Sequence, residues 1–221
     1  MDYLSSTNGP NTASNTVTWP LIALVAMLAG CRDGEGEAPA EPAEEPKEVD
    51  RGPWVLDEVP DELRPRVERG MQAMDAVQAR LFQALGAAIS EGPASEALEV
   101  CSEVAQPLTA EGAAEAGIEL GRTSLKIRNP ENEPEDWVRP WLEEHWEEPA
   151  AGIVPMVVDL GDAIGIARPI GTVTLCEICH GSEQALASDV RERLERLYPD
   201  DQAVGFLSGD LRGAFWAKVA E

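Results

Sequence analysis

The chain has 221 residues, of which 41 are acidic and 17 are basic, so its formal net charge at pH 7 is −24. This length is enough for one well-buried domain with extensions. A surface with this much negative charge repels the phosphate backbone of nucleic acids, so we exclude DNA and RNA as partners. A well-solvated surface and a basic protein partner both remain compatible with this charge.

The N-terminus resembles an export signal. An uncharged apolar run extends from Trp19 to Gly30, too short to span a bilayer but long enough for the hydrophobic region of a signal peptide. It ends in the sequence LAGC, which resembles the bacterial lipobox, where the signal is cut before an acylated cysteine. We therefore predict a lipoprotein signal peptide at residues 1–30, lipid on Cys31 and a membrane-anchored location in the bacterial periplasm. Residues 1–31 contain no Lys or Arg, so the alternative is a hydrophobic tail with a core cysteine.

The segment after the signal is predicted to be a tether. It is rich in Glu, Pro, Ala and Gly and holds almost nothing large to bury. Such a segment cannot offset its ordering entropy, so we predict that residues 31–53 are mobile. Large apolar residues return at Trp54, and the predicted folded domain spans residues 54–221.

The first half of this domain has the apolar periodicity of helices. Residues repeating at steps of three or four predict helices over 63–88, 95–105 and 134–147. Pro65 fits the first turn of the first helix, and Pro107 is predicted to end the second. The sequence RNPENEP between the second and third helices predicts a polar turn.

The second half of the domain has strand-like stretches. Two apolar, β-branched segments at 152–160 and 163–175 flank a Gly-Asp turn, which predicts an antiparallel pair. A helix over 182–198 and a closing hairpin over 203–220, centred on GDLRG, are predicted to follow. Helices followed by antiparallel strands indicate an α+β domain.

The motif that carries chemistry is CEICH, residues 176–180. It has the C-x-x-C-H spacing that attaches a c-type haem, with Cys176 and Cys179 adding to the two vinyl groups of the porphyrin. His180 then presents an imidazole nitrogen to the iron as the proximal ligand. Gly181 is expected to let the backbone turn close beneath the ring. Bacterial haem attachment of this type takes place outside the cytoplasm, in agreement with the predicted export.

The motif has three other interpretations. A structural zinc site usually takes a second ligand pair, and no second C-x-x-C or H-x-x-x-H occurs in the sequence. A thioredoxin-like redox pair needs a βαβ setting that the antiparallel pattern does not supply. A plain disulfide is geometrically awkward over so short a loop.

The second axial ligand is left open by the residues alone. The candidates are Met71, Met74, Met156, His145 and Cys101. Methionine or histidine is typical of an electron-transfer cytochrome, whereas a cysteine thiolate donates charge to iron and lowers its potential. From the residues alone, Cys101 is more often interpreted as a small buried apolar residue on one helix face than as an iron ligand.

Four stretches in order resemble a known family. They are AISEGPASEALEVCSEVAQPLT, GRTSLKIRNPENEPEDWVRPWLEE, CEICHG and YPDDQAVGFLSGDLRGAF. Together, over roughly residues 54–219, they look like the family of exported single-haem proteins catalogued as a c-type haem domain of unknown function. The resemblance implies a PAS-like antiparallel sheet with N-terminal helices, a single covalent haem c, and cysteine plus histidine as axial ligands.

The resemblance also implies roles for individual residues. It makes Cys101 the distal iron ligand, opposite His180. It places three basic residues near the haem propionates, although pairing with carboxylates explains them equally well: Arg122, Lys126 and Arg128. With no other cysteine unassigned, none is left for a disulfide.

The function that these features predict is a periplasm-facing, monohaem cytochrome-like protein. It would sense redox state or a small ligand, or transfer single electrons, and would act through a protein partner. A cysteine ligand that dissociates suits sensing, because its release opens a coordination site. The alternative is a haem enzyme, such as a peroxidase or a protein that processes nitrogen oxides, which needs an open iron site and a positioned acid–base residue.

Overall fold

The computed structural model describes residues 50–221. Cys31, the predicted signal peptide and nearly all of the predicted tether lie outside the described residues. Within the described range, no helix is both long and apolar enough to cross a membrane.

One antiparallel sheet organises the described chain. Its five strands lie in the order β1-β3-β4-β5-β2, so the last strand of the chain lies between β4 and β2. Their bounds are β1 Trp54–Val55, β2 Glu119–Thr123, β3 Met156–Asp159, β4 Ala163–Gly171 and β5 Leu211–Ala220. All neighbouring pairs are antiparallel. The prediction of an α+β domain is therefore confirmed.

Six helices accompany the sheet in residues 50–221. Their bounds are α1 Arg64–Glu91, α2 Ala94–Glu99, α3 Ala105–Ala116, α4 Arg139–His145, α5 Glu177–His180 and α6 Ser188–Leu197. The long first helix and the β3–β4 pair agree with the sequence predictions. The polar turn is also confirmed, as a 3₁₀ turn over Pro130–Asn132 capped by the Asn129 side chain.

Two apolar cores lie on opposite faces of the sheet because successive residues of a strand point to opposite sides. On one face, Met74 and Val77 of α1 pack in a cluster with Phe215 of β5. On the other face, Trp141 of α4 packs in a cluster with Ala214 of the same strand. A third cluster joins α2 to α6 beside Cys179 of the C-x-x-C-H motif.

The prediction that Pro107 ends the second helix is wrong. After α2 the chain makes one turn of π-helix, Val100–Val104, and continues into α3. The Ala105 N–H donates to the Val100 carbonyl, five residues earlier, which marks the wide turn. Pro107 falls in the first turn of α3, where a missing N–H costs least.

The predicted third and fourth helices are shorter than the sequence suggested. The third is confined to α4, Arg139–His145, because residues 130–138 form separate turns. The fourth begins at Ser188 rather than at residue 182. In both cases the apolar spacing extended the prediction across turns that precede the helix.

The predicted closing hairpin over 203–220 is also wrong. Only β5 forms a strand there, and residues 203–206 do not pair with it. Their N–H groups are used elsewhere: Gly205 donates to the Gly181 carbonyl and Phe206 donates to the His180 carbonyl, both at 2.9 Å. The segment before β5 therefore lies against the C-x-x-C-H motif.

Candidate functional site

A cavity of about 390 Å³ opens between α1, the π turn, the ends of β4 and β5, and the C-x-x-C-H segment. Its wall includes four residues that the sequence placed in one site: Cys101, Cys176, Cys179 and His180. These come from positions up to 79 residues apart (180 − 101). The fold therefore brings the motif and the distant cysteine to the same cavity.

The motif itself is held by a short helical turn. A 3₁₀ turn, Thr174–Cys176, leads into α5, so that Cys176 and Cys179 lie three residues apart in helical conformation. Residues at this spacing share a helix face. The motif therefore presents both thiols from one side of α5.

Gly181 is needed by the turn itself. Its N–H donates to the Glu177 carbonyl at 2.9 Å, and a Cβ built at Gly181 would lie 2.6 Å from that carbonyl oxygen. The close approach thus involves the backbone of α5, and no approach to a porphyrin is required to explain it.

His180 is oriented by a backbone acceptor. Its Nδ1 donates to the Ala203 carbonyl at 2.7 Å, and this bond assigns the proton of the neutral ring to Nδ1. Burial, helped by Arg212 and Arg128, lowers the pKa of His180 well below 6.5, so the ring is neutral at pH 7. The Nε2 atom therefore carries a lone pair directed away from Ala203, which is the form of the ring that can bind a metal.

A segment that we call the motif clamp, residues 201–208, surrounds α5. Besides the bonds from Gly205 and Phe206, its Ser208 N–H donates to a Glu177 carboxylate oxygen at 2.8 Å. Ala203 donates its own N–H to Asp201 Oδ1 at 2.8 Å. The orientation of the histidine therefore depends on chain outside the motif.

Arg128 joins the clamp to the motif. Its Nη2 donates to the Cys179 carbonyl at 2.6 Å and lies 2.9 Å from Asp201 Oδ2, while its Nε donates to the same carboxylate oxygen at 3.0 Å. The side chains of Arg128 and Asp201 are 7% and 10% exposed. Most donors of Arg128 are thus used within the protein, although its buried Nη1 has no partner in residues 50–221.

Arg212 is a site residue that sequence reasoning missed. In the β4–β5 pair, Ile170 is opposite Gly213 but Gly171 is opposite Leu211, so Arg212 is the extra residue of a β-bulge. The bulge changes the alternation of β5 at this point, and Arg212 lines the cavity while Leu211 and Ala214 share the α4 core. Its Nη1 lies 3.4 Å from His180 Nε2.

Two cavity arginines have no acidic partner. Arg122 Nη2 donates to the Gln106 side chain at 3.1 Å, and within residues 50–221 neither Arg122 nor Arg212 forms a salt bridge. Burial, together with the charge of Arg212, lowers the pKa of Arg122, and burial lowers the pKa of Arg212. Unpaired guanidinium groups in so acidic a chain favour an anionic ligand.

The remaining predicted residues lie away from the cavity. Lys126 is not part of its wall, and the Lys126 ammonium lies 5.3 Å from the centre of the Phe206 ring. Of the five candidates for the second axial ligand, Cys101 lines the cavity, whereas Met71, Met74, Met156 and His145 do not. Met74 is buried in the core beneath α1.

The three cysteines of residues 50–221 are free thiols. Burial is the main reason that the pKa of Cys179 is raised to about 11, so this thiol is protonated at neutral pH. Across the same described range, no cluster of three or more His, Cys, Asp or Glu side chains is arranged to bind a metal ion by itself.

The fold and site together define an α+β protein with a C-x-x-C-H motif facing an arginine-lined cavity. The model of the Tll0287-like family matches residues 56–220. The chain therefore belongs to the Tll0287-like family, a haem-protein family of unknown function, and the predicted family resemblance is confirmed.

One solved structure adds a comparison of folds. The crystal structure of the cyanobacterial heme-protein Tll0287 is similar at a TM-score of 0.53, with 23% sequence identity, covering 74% of this chain and 98% of that chain. At this identity the likeness concerns the fold. No protein of curated function matches the chain.

Proposed function

We propose that this chain binds one covalent c-type haem, attached through Cys176 and Cys179 and ligated by His180 and Cys101. The observation that carries the proposal is the hydrogen bond from His180 Nδ1 to Ala203, because it leaves Nε2 unprotonated at the cavity wall, where its contact is with Arg212 Nη1 at 3.4 Å. The membership of a haem-protein family supports the same cofactor. The proposed fold type is PAS-like, and the five-stranded antiparallel sheet supports this proposal.

The residues of the cavity fit a porphyrin. Its wall is largely apolar, with Phe82, Leu85 and Ile89 of α1 among the side chains that would contact a flat ring. The two unpaired guanidinium groups of Arg122 and Arg212 are suited to carboxylates such as propionates. Thiols, an imidazole and buried cations are thus present in one cavity, which matches the chemical groups of haem.

The haem would supply a one-electron redox centre. Cys176 and Cys179 would hold it covalently, and the motif clamp would hold the imidazole of His180 at a fixed orientation. Cys101 projects from a π turn, a helix irregularity that is frequent at functional sites. A thiolate on such a turn suits a ligand that is released when the thiol is protonated or oxidised.

We further propose a role in redox or ligand sensing or in single-electron transfer at the periplasmic face of a membrane. This location rests on the lipobox-like sequence before Cys31, and lipid on that residue would keep the protein attached. The excess of acidic residues favours a basic protein partner. Any signal would pass to that partner.

The covalent attachment is tested by the Cys176→Ala and Cys179→Ala variants, expressed with haem-maturation machinery. The expected result is that the double variant loses haem from the denatured protein, whereas each single variant keeps a single thioether bond. A matched control is Cys101→Ala, which is expected to keep the haem covalently attached to the denatured protein. Haem retained on the denatured double variant would contradict the proposal.

A further inference from the structure

Phe206 connects the motif histidine to the other side of the sheet. Its ring meets the His180 ring edge to face, with 6.5 Å between centroids and an interplanar angle of 75°. It meets the Trp146 ring in the same way, at 6.1 Å and 77°. These are the distances and angles of aromatic pairs in van der Waals contact.

The contact with His180 is reinforced by the backbone. The Phe206 N–H donates to the His180 carbonyl at 2.9 Å, so the two residues share a backbone hydrogen bond as well as the ring contact. Phe206 is 4% exposed, and its neighbours in the motif clamp fix its position. The pair therefore has little freedom to separate.

Trp146 brings the contact to the surface. It directly follows α4, is partly exposed, and packs on the core beneath α4 rather than on the α1 side, where the cavity lies. Ring contacts to Phe206 in residues 50–221 come from His180 and Trp146, and not from Trp137, Trp141 or Trp216. One continuous aromatic path thus leads from the motif histidine to the surface near α4.

We propose that His180, Phe206 and Trp146 form an electron route with Trp146 as its outer end. This inference rests on the proposed haem. In the haem-loaded protein, a single electron would pass along the rings of His180, Phe206 and Trp146 to a one-electron oxidant at Trp146. The haem would lose that electron, the oxidant would gain it, and the three rings would undergo no net change. The route provides an electron exit separate from the cavity opening.

The chain offers a natural attachment point for the test. His145 precedes Trp146, its side chain is 23% exposed, and its Nδ1 contacts Glu148 at 3.2 Å, which leaves Nε2 for a label. A ruthenium polypyridyl complex is coordinated there in the haem-loaded protein. Flash oxidation then gives a one-electron oxidant on the residue that precedes Trp146 in the chain, and the rate of iron oxidation is followed by absorbance.

The expected result is that Trp146→Leu and Phe206→Leu each slow the transfer by about an order of magnitude, because each removes one ring of the route. The matched control is Trp216→Leu, which removes a tryptophan from the same face of the sheet and leaves the rate unchanged. Phe206→Leu keeps a large apolar side chain, so it serves as the test where Trp146→Leu does not fold.

An unchanged rate in both route variants, or an equal loss in the Trp216→Leu control, would overturn the inference. Failure of the electron route and failure of the proposed haem binding give different results. Absence of covalent haem from the wild-type protein refutes the haem proposal, whereas haem with unchanged rates refutes the route alone.

Discussion

Arg128 shows how one side chain supports a histidine that it does not face directly. Its Nη2 contacts the Ala203 carbonyl at 3.3 Å, and that carbonyl also accepts the bond from His180 Nδ1. Arg128 holds the Cys179 carbonyl and the buried Asp201 as well. For Arg128 the family resemblance implied a propionate contact, with pairing to a carboxylate as the equal alternative; its contacts with Asp201 and two backbone carbonyls suit a role in positioning the motif.

Arg128→Gln is expected to lower the free energy of unfolding by about 3–5 kcal/mol, because it leaves the Asp201 carboxylate buried without its cation. Urea unfolding measures the loss. The control is Arg64→Gln, which breaks an exposed pair with Asp61 and is expected to cost about 0–1 kcal/mol. Similar small losses in both variants would show that Arg128 does not stabilise the motif.

Cys101→Ser is expected to change the Soret position and the electron paramagnetic resonance spectrum of the ferric protein, because a hydroxyl does not replace a thiolate at iron. Ser102→Ala is the matched control, since Ser102 is the next residue in the same π turn. Identical spectra of wild type and Cys101→Ser would exclude Cys101 as a ligand.

The β-bulge is the element that completes the cavity. A regular β4–β5 pair would direct Arg212 to the α4 face, together with Ala214. Gly213 permits the packing beside the bulge: a Cβ there would lie 2.1 Å from the Thr123 carbonyl oxygen on β2. The bulge and this glycine therefore determine which side of the sheet receives the guanidinium group.

Gly213→Ala is expected to destabilise the protein by about 1–3 kcal/mol, because β2 and β5 must separate to admit the methyl group. Gly86→Ala is a control of opposite sign. Gly86 lies within α1 with nothing within 4 Å of an added Cβ, so alanine there should stabilise by about 0.5–1 kcal/mol. A Gly213→Ala variant as stable as wild type would refute the close approach. Thermal and urea unfolding distinguish these cases.

The sequence predicted the elements whose signals are local. The apolar stripe of α1 and the Gly-Asp turn between β3 and β4 each specify one structure by themselves. The motif clamp and the bulge depend on partners distant in sequence: residues 203–206 bond to the motif, and Arg212 is displaced by its pairing with β4. Alternating apolar residues in these stretches therefore suggested a hairpin that does not form.

The candidate site followed the same division. The spacing of Cys176, Cys179 and His180 is a local signal, and family resemblance added Cys101; all four line the cavity. Resemblance also suggested Arg122 and Arg128, which line it, and Lys126, which does not. Ala203 and Phe206 contribute a backbone carbonyl and an N–H, which no residue type marks in a sequence.

At the scale of the whole molecule, the net charge and the predicted export signal are compatible with the proposed periplasmic role. A net charge of −24 favours solubility and a basic partner. A single acyl chain gives only weak membrane binding, so stable anchoring usually needs a second chain or another membrane-binding feature. Acylation of both the sulfur and the new amino group of Cys31 would supply more than one chain. The proposed location and the proposed partner class are thus physically compatible.

Mature protein extracted from membranes is expected to lack residues 1–30 and to carry lipid on Cys31, as measured by intact mass. Cys31→Ser is expected to shift the protein away from the membrane fraction, because the anchoring acyl chains are lost. Cys101→Ser provides the control, since it removes a cysteine from the folded domain and should leave fractionation unchanged. An intact Met1 terminus would contradict this processing.

The central claim is that one haem is bound covalently at Cys176 and Cys179 and ligated by His180. The most direct measurement combines the visible spectrum with the denatured mass of the protein purified from cells that mature c-type haem. The expected result is a Soret band and a mass that exceeds the polypeptide by one haem. A colourless protein with the mass of the polypeptide alone would contradict it.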